Sequence, residues 1–307
     1  LSQSGSIAGG IVRHMQDAGF GCAYLVSVGN ETCLDILDFL EYVVHRGDVK
    51  VVAMFVEGLK DGRRLCNLAA AARAKGITVC ALKAGNSVLG GEAISSHTGK
   101  MATSGAIYAD IFDQAGIIQV HSLVELLEAA QVLSTMPLPK AGATPGSGVS
   151  VLSIPGGTRA LTADACEAHR VPLAQFQDGT VQALNAVLPE FGYGRNPIDM
   201  TGQVLSRPEM FHSTLDLVVD DPNTEALIVQ LANSGPHDLQ KFRDMFTTSA
   251  RRLAGPVFIS MMGDAVAPQD VRAFAEEGIF AVRDPADAVR CLALLYRAHE
   301  HQTRRND

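Results

Sequence analysis

His97 is the residue of this chain best suited to nucleophilic phosphoryl chemistry. It stands in the short polar segment SSHTG, residues 95–99, a small and flexible setting that suits an exposed imidazole. A histidine that accepts a phosphoryl group needs an exposed neutral nitrogen, a group that orients its other nitrogen, and donors that hold the phosphate oxygens. The chain contains candidates for each of these parts.

Glu57 is the candidate for the orienting group. It follows an apolar run, residues 51–56, that indicates a strand, so its carboxylate is expected at a sheet edge where it can accept the imidazole N–H. A solvated acid at the end of a strand is the alternative interpretation.

Serine- and glycine-rich helix starts are the candidates for the phosphate donors. Free N–H groups and the helix dipole favour an anion there by ~0.3–1 kcal/mol. In the first half the start comprises Ser4, Gly5 and Ser6, for which a simple N-cap is the alternative. In the second half two starts remain open, and both also fit ordinary strand-to-helix turns. They comprise Gly156, Gly157 and Thr158, or Ser234 and Gly235.

Three further polar positions are weaker candidates. The segment NPID, residues 196–199, indicates a turn or cap before a helix near Pro208. Lys83 and Lys100 could steady a phosphate, although exposed lysines are usually only solvated.

Apolar strand-like runs alternate with helical patterns along the whole chain. This alternation predicts an α/β fold with parallel sheets. The expected strands are residues 24–28, 51–56, 77–82, 149–154, 226–231 and 256–260.

The two halves correspond segment by segment, which predicts an internal duplication. We expect two tandem flavodoxin-like domains, each a doubly wound parallel sheet, over residues 1–135 and 149–307 with a linker over 136–148. The copies differ most at residues 86–105, where the first copy is longer. Because repeat-specific insertions tend to hold function, this location favours His97.

Composition excludes several classes of protein. The net charge is −8 with no Lys/Arg-rich run, so we expect neither a nucleic acid nor a membrane surface as partner. No apolar stretch approaches the ~20 residues of a membrane helix. The six cysteines show no CxxC spacing, which predicts a reducing cytoplasm and no metal site. The chain opens on a loop and helix, residues 1–5, with no strand ahead of them, and we interpret it as a fragment.

Six motifs together resemble ADP-forming acetyl-CoA synthetases, within the NDP-forming acyl-CoA synthetase (succinyl-CoA synthetase) superfamily. The resemblance spans essentially the whole chain. The motifs are SQSGS at residues 2–6, VEGLKDGR at 56–63, ALKAG at 81–85, SSHTG at 95–99, PGG at 155–157 and NPIDMTG at 196–202.

The resemblance implies that His97 is a phosphohistidine, Glu57 its orienting carboxylate, and the helix after Ser4 and Gly5 one of two helices whose N-termini flank the phosphate. It implies an acid–thiol ligase that interconverts acyl-CoA, phosphate and NDP with acid, CoA and NTP through an acyl phosphate. Coenzyme A and ADP or ATP with Mg would be substrates, with no tightly bound cofactor. A CoA-binding domain, an ATP-grasp domain or subunit, a small carboxylic acid and a homo- or hetero-oligomer are the implied partners.

Two other classes remain as alternatives. One is a non-catalytic, acyl-CoA-sensing regulatory module of a larger fusion protein, which loss of the histidine would favour. The other is an unrelated flavodoxin-like protein that binds flavin or sugar, which would leave the insertion and the motif order unexplained.

Overall fold

A computed structural model describes residues 1–17, 19–98, 105–140, 144–189, 194–232, 243, 246, 248–262 and 268–303. The chain divides into two compact units, the first comprising Leu1–Ser134 with Glu300–Asp307 and the second Thr135–His299. The domain boundaries and the linker inferred from the sequence remain predictions.

The first unit contains strands β1 (Val51–Val56), β2 (Thr78–Lys83) and β3 (Ile118–Val120), which pair in parallel in that order. Helices cover both faces of this sheet. They are α1 (Gly5–Asp17), α2 (Ile36–Arg46), α3 (Gly62–Ala74), α4 (Val88–Thr98), α5 (Gly105–Ala115) and α6 (Leu123–Thr135).

Local sequence explains these elements. Val52, Met54 and Val56 lie on one face of β1 and are buried in the core. Apolar residues on a buried face are expected in a parallel sheet that is covered by helices. Helix α2 begins at a capping box formed by Asp35 and Asp38 and ends at Gly47, whose φ of 66° is accessible to glycine at little cost.

Residues 1–3 extend this sheet, which corrects the expected loop ahead of α1. The Ser2 amide donates to the Val26 carbonyl (2.8 Å), and the Phe55 amide donates to the Leu1 carbonyl (2.9 Å). Residues 1–3 therefore lie between residues 26–28 and β1. The strand expected over residues 24–28 is reduced to one bridge, at Ser27.

The second unit contains β4 (Gly148–Ser153), β5 (Ile198–Asp199), β6 (Thr224–Ala232), β7 (Val257–Met262) and β8 (Ile279–Val282). All pair in parallel, in the order β5-β4-β6-β7-β8. The helices are α7 (Gly156–His169), α8 (Asp178–Val187), α9 (Pro208–Val219), α10 (Pro268–Glu276) and α11 (Pro285–Thr303), with a 3₁₀ turn at Gly202–Leu205.

Strand order is the same in both units. With residues 1–3 counted first and 26–28 second, the first sheet has the order 2-1-3-4-5, and so does the second. This is the flavodoxin-like doubly wound order. The predicted α/β fold class is confirmed. The turn expected at residues 196–199 is partly wrong, because Ile198–Asp199 pair with β4.

Two observations bear on the surroundings of the protein. Across the described ranges, no helix combines the length and apolarity needed to cross a bilayer. All six cysteines are free thiols.

Candidate active site

The carboxyl edge of the first sheet brings together several of the residues proposed for chemistry. Ser4 follows the first strand segment, Glu57 follows β1, and Lys83 ends β2. Because these strands are parallel neighbours, the three residues stand in a row with ~4.8 Å between adjacent strands. Ligands of open α/β sheets bind at this edge.

The start of α1 offers free donors to that row. Gly5 and Ser6 are exposed and occupy the first turn, where amide N–H groups have no intrahelical acceptor. The Ser4 and Ser6 hydroxyls lie 3.2 Å apart, and Ser4 accepts the Ala8 amide through its carbonyl (3.1 Å). Two hydroxyls and the open amides therefore face the same side, an arrangement suited to an anion.

Gln3 fixes the backbone that carries Glu57. Its side-chain oxygen accepts the amides of Glu57 and Gly58 (3.0 Å to Gly58), and its Nε2 donates to the Gly58 carbonyl (2.7 Å) and to Glu31 Oε1 (2.6 Å). Gln3 is only 4% exposed. Both ends of this carboxamide are thus used, so the turn after β1 has a defined conformation.

Glu31 and Tyr108 complete the support of this turn. Glu31 is buried at a φ of 56°, accepts the Ile36 amide (3.0 Å), and receives Lys60 Nζ on its carbonyl (2.9 Å). The Tyr108 hydroxyl accepts the Leu59 amide (2.8 Å), and burial raises the pKa of Tyr108. The Glu57 backbone is therefore preorganised before any ligand binds.

The turn after β2 holds α4 in place. Gly85 has a φ of 74°, and a Cβ added there would lie 3.1 Å from the Gly90 carbonyl oxygen of α4. A Cβ at Gly90 would likewise lie 3.1 Å from Gly85 Cα, so the two backbones touch. Asn86 donates to the Lys83 carbonyl (2.8 Å) and packs against Gly105 at the start of α5.

His97 lies in the last turn of α4, so the backbone at this position is helical, whereas the sequence predicts a flexible loop. Its side chain lies outside the described residues, as do the whole of Lys100, Ser234 and Gly235. The pairing of His97 with Glu57 remains a prediction. The lysine at position 83 is buried rather than exposed, which corrects the expectation of a solvated side chain.

The helix start of the second unit has a different environment. Gly156 and Gly157 open α7 after an N-cap at Pro155, and a Cβ on Gly156 would lie 2.8 Å from Asp199 Oδ2. A carboxylate of the chain itself thus stands against this helix start. The buried Thr158 hydroxyl donates to the Pro155 carbonyl (2.8 Å), which supports a structural role, and its part in phosphate binding stays a prediction.

The row formed by Ser4, Glu57 and Lys83 is distinct from one apolar cavity of the first unit. Among the residues that the structure describes, no three His, Cys, Asp or Glu side chains come together as metal ligands. A mostly apolar cavity of about 260 Å³ lies at the opposite, amino edge of the first sheet. None of Ser4, Glu57 and Lys83 lines it.

Three supporting residues were missed from the sequence. Gln3 lies inside the SQSGS motif, so the motif itself could have drawn attention to it. Glu31 and Tyr108 act through contacts distant in sequence, and only a contact map connects them with Glu57.

Comparison with known proteins identifies the relatives of this chain. Residues 1–133 match the succinyl-CoA ligase like flavodoxin domain, and residues 149–298 match the ligase-CoA domain. The chain is 36% identical over 228 residues to the alpha subunit of the ADP-forming acetate–CoA ligase II of Pyrococcus furiosus, covering 74% of this chain and 48% of the relative. It is 32% identical over 299 residues to the ADP-forming acetate–CoA ligase I of Archaeoglobus fulgidus, covering 97% and 41%.

A solved structure shows the same fold. The chain superposes with a TM-score of 0.85 on the dinucleotide forming acetyl-coenzyme A synthetase 1 of Ca. Korarchaeum cryptofilum in complex with phosphate and ADP, at 24% identity over 98% of this chain and 64% of the other. The chain belongs to the NDP-forming acyl-CoA synthetase (succinyl-CoA synthetase) superfamily and carries its two CoA-ligase domains. It spans about half the length of the curated relatives described above.

Proposed function

We propose that this chain is the phosphohistidine-bearing part of an ADP-forming acyl-CoA synthetase. The observation that carries the proposal is the carboxyl edge of the first sheet. There an open helix start, a backbone-fixed glutamate and the helix that bears His97 lie on neighbouring strands and turns.

In the proposed reaction, phosphate attacks the acyl carbon of acyl-CoA and expels CoA as the thiol, which leaves an acyl phosphate. A nitrogen of His97 then attacks phosphorus and releases the carboxylic acid. The phosphoryl group passes from His97 to ADP, which regenerates the imidazole and forms ATP. Dividing the transfer in this way replaces one difficult step by easier ones.

Each residue of the edge has a defined part in this scheme. Glu57 accepts the N–H of the imidazole nitrogen that does not react, which fixes the ring and stabilises its positive charge. Ser4, Gly5 and Ser6 donate to the phosphate oxygens at the start of α1. In the second half, either Gly156 and Gly157 or Ser234 and Gly235 supply a second helix start, as the family resemblance implies.

The substrates and partners follow from the family. Coenzyme A, a small carboxylic acid and ADP or ATP with Mg are the proposed substrates, with a CoA-binding domain and an ATP-grasp domain or subunit as partners. The related Pyrococcus furiosus protein is an alpha subunit, which supports assembly with a further subunit. The free thiols of all six cysteines support a reducing cytoplasm. No observation favours the acyl-CoA-sensing alternative.

The test is phosphoryl transfer from labelled ATP onto the chain assembled with its nucleotide-binding domain or subunit. Acid-labile and base-stable label is expected in the unchanged protein and absent from His97→Asn. His121→Asn is the matched control, because His121 is an exposed histidine that follows β3 at the same sheet edge. Equal label in His97→Asn and the unchanged protein would contradict the proposal.

A further inference from the structure

Lys83 is a buried cation at the edge where the proposed chemistry takes place. It ends β2 and is only 3% exposed, whereas lysines are almost never fully buried without a partner. Val79 and Ala81, on the same face of β2, belong to the apolar core between the sheet and its helices. Lys83 is therefore a charged residue that follows two apolar core residues on the same face of β2, at the carboxyl edge of the sheet.

The immediate contacts of Lys83 use little of its hydrogen-bonding capacity. Within the described residues, its ammonium donates to the Ala84 carbonyl and lies 4.7 Å from the centre of the Tyr108 ring. An ammonium carries three N–H donors, and a ring face attracts a cation without accepting all of them. The contacts hold the ammonium in position and leave donor capacity for a further acceptor.

Glu57 is the acid whose charge acts on Lys83. Burial lowers the pKa of Lys83, and the Glu57 carboxylate opposes that shift. No hydrogen-bonded ion pair between them is present in the described part of the chain, so Glu57 attracts the ammonium from a distance without consuming its donors. Such an arrangement suits a cation that also serves another anion.

The geometry of the edge identifies that anion. Lys83 is the register partner of Val56, directly before Glu57, and Ser4 stands on the other side of β1. A phosphate at this edge would meet the repulsion of Glu57, because like charges within a few ångströms disfavour each other. The α1 helix start offers only partial positive charge. Lys83 is a full positive charge on a rigid strand end.

Resting on the proposed function, we propose that the Lys83 ammonium is the resident cation of the phosphoryl site, attracting and holding the phosphate anion at the carboxyl edge of the first sheet. The Tyr108 ring and the Ala84 carbonyl hold the ammonium in position. The neighbouring carboxylate of Glu57 can then orient an imidazole without driving phosphate away.

The test measures binding of inorganic phosphate to the full chain by calorimetry, for the unchanged protein and three variants. Lys83→Met keeps the length of the side chain and removes the charge, and Lys83→Arg keeps the charge. Lys50→Met is the matched control, because Lys50 is an exposed lysine directly before β1 at the opposite edge of the same sheet. Thermal unfolding of each variant establishes that it is folded.

We expect phosphate affinity to fall at least tenfold in Lys83→Met, to be largely retained in Lys83→Arg, and to change less than twofold in Lys50→Met. Folded Lys83→Met with unchanged affinity would overturn the inference and assign Lys83 a structural role with Tyr108. Failure of the unchanged chain to bind phosphate would overturn it too.

Failure of the inference is distinguishable from failure of the proposed function. If Lys83→Met binds phosphate normally while His97→Asn loses the label from ATP, the synthetase assignment stands and the role of Lys83 is wrong. If label persists in His97→Asn, the synthetase assignment itself is wrong, whatever Lys83 does.

Discussion

The two units share one strand order and differ in what faces the first helix of each. At the start of α1, a Cβ on Gly5 would lie 3.6 Å from the Ser27 hydroxyl, and at the start of α7 a Cβ on Gly156 would lie 2.8 Å from the Asp199 carboxylate. Ser27 and Asp199 therefore occupy equivalent positions on the second strand of each sheet. The first helix start faces a neutral group, and the second already faces an anion.

The two sheets also differ in polarity along the row of paired residues that contains Ser27 in the first unit and Asp199 in the second. In the first unit the row continues from Ser2 through Phe55 to Leu82, and in the second from Ser153 through Gln230 to Ser260. The second row is polar although fully buried, and the Ser260 hydroxyl has no hydrogen-bond partner within the described residues.

The two units differ most in the length of the connection that follows the fourth strand in chain order, which is β2 in the first unit and β7 in the second. Residues 84–104 separate β2 from α5 and contain α4, whereas residues 263–267 separate β7 from α10. Duplication thus supplied the scaffold twice. We propose that the phosphoryl acceptor lies in the copy that contains the additional helix and whose first helix start faces the Ser27 hydroxyl instead of a carboxylate.

Of the changes considered, removal of the Glu57 carboxylate should reduce phosphorylation of the first unit most strongly. In Glu57→Gln we expect the rate of phosphorylation from labelled ATP to fall about 10–100-fold, because an orienting partner of a reactive imidazole is lost. Glu92→Gln, which changes an exposed acid on α4, should leave the rate within about twofold. Equal rates in the two variants would remove Glu57 from the site.

A carboxylate introduced at the start of α1 would make this helix start resemble that of α7, where Asp199 lies. Ser27→Asp should lower phosphate affinity by about tenfold, since a carboxylate at a helix start competes with a bound anion. The Ser27 side chain is exposed, so folding should tolerate the change. Unaltered phosphate binding in a folded Ser27→Asp would show that the α1 start does not hold the anion.

The contact between the β2 turn and α4 can be tested through two glycines. Gly85 and Gly76 both have a φ above 70°, so alanine should cost about 1–2 kcal/mol at either site. Only Gly85 also touches α4, whereas a Cβ at Gly76 meets nothing within 4 Å. We expect urea denaturation to show Gly85→Ala less stable than Gly76→Ala by about 1 kcal/mol or more. Equal losses would contradict the described packing of α4.

The smallest expected effect concerns pH and stability. Burial lowers the pKa of Lys83 in the folded chain, so between that lowered value and the unfolded value near 10.4 the unfolded state binds more protons. Stability of the unchanged protein relative to Lys83→Met should therefore rise slightly with pH through this alkaline window. Parallel urea titrations of both proteins measure the difference, and a constant or falling difference would contradict the burial of a protonated lysine.

Much of this organisation was accessible from the sequence, because apolar runs and the repeated segments determine the strands and their parallel pairing. The insertion around His97 followed from the comparison of the two halves, and the position of Glu57 followed from the apolar run directly before it. The helix over Val88–Thr98 was missed because Gly90, Gly91 and its serines resemble a loop, and its packing on Gly85 is a tertiary contact. Burial of Lys83 was missed for the same reason, since it depends on Tyr108 from α5.

The first unit is proposed to carry a phosphoryl group on His97. The most direct measurement is fragmentation mass spectrometry, at alkaline pH, of the chain phosphorylated by ATP in its assembled form. We expect a phosphoryl group on the peptide containing His97, assigned to the imidazole. A phosphoryl group mapped to any other residue, with His97 unmodified, would contradict it.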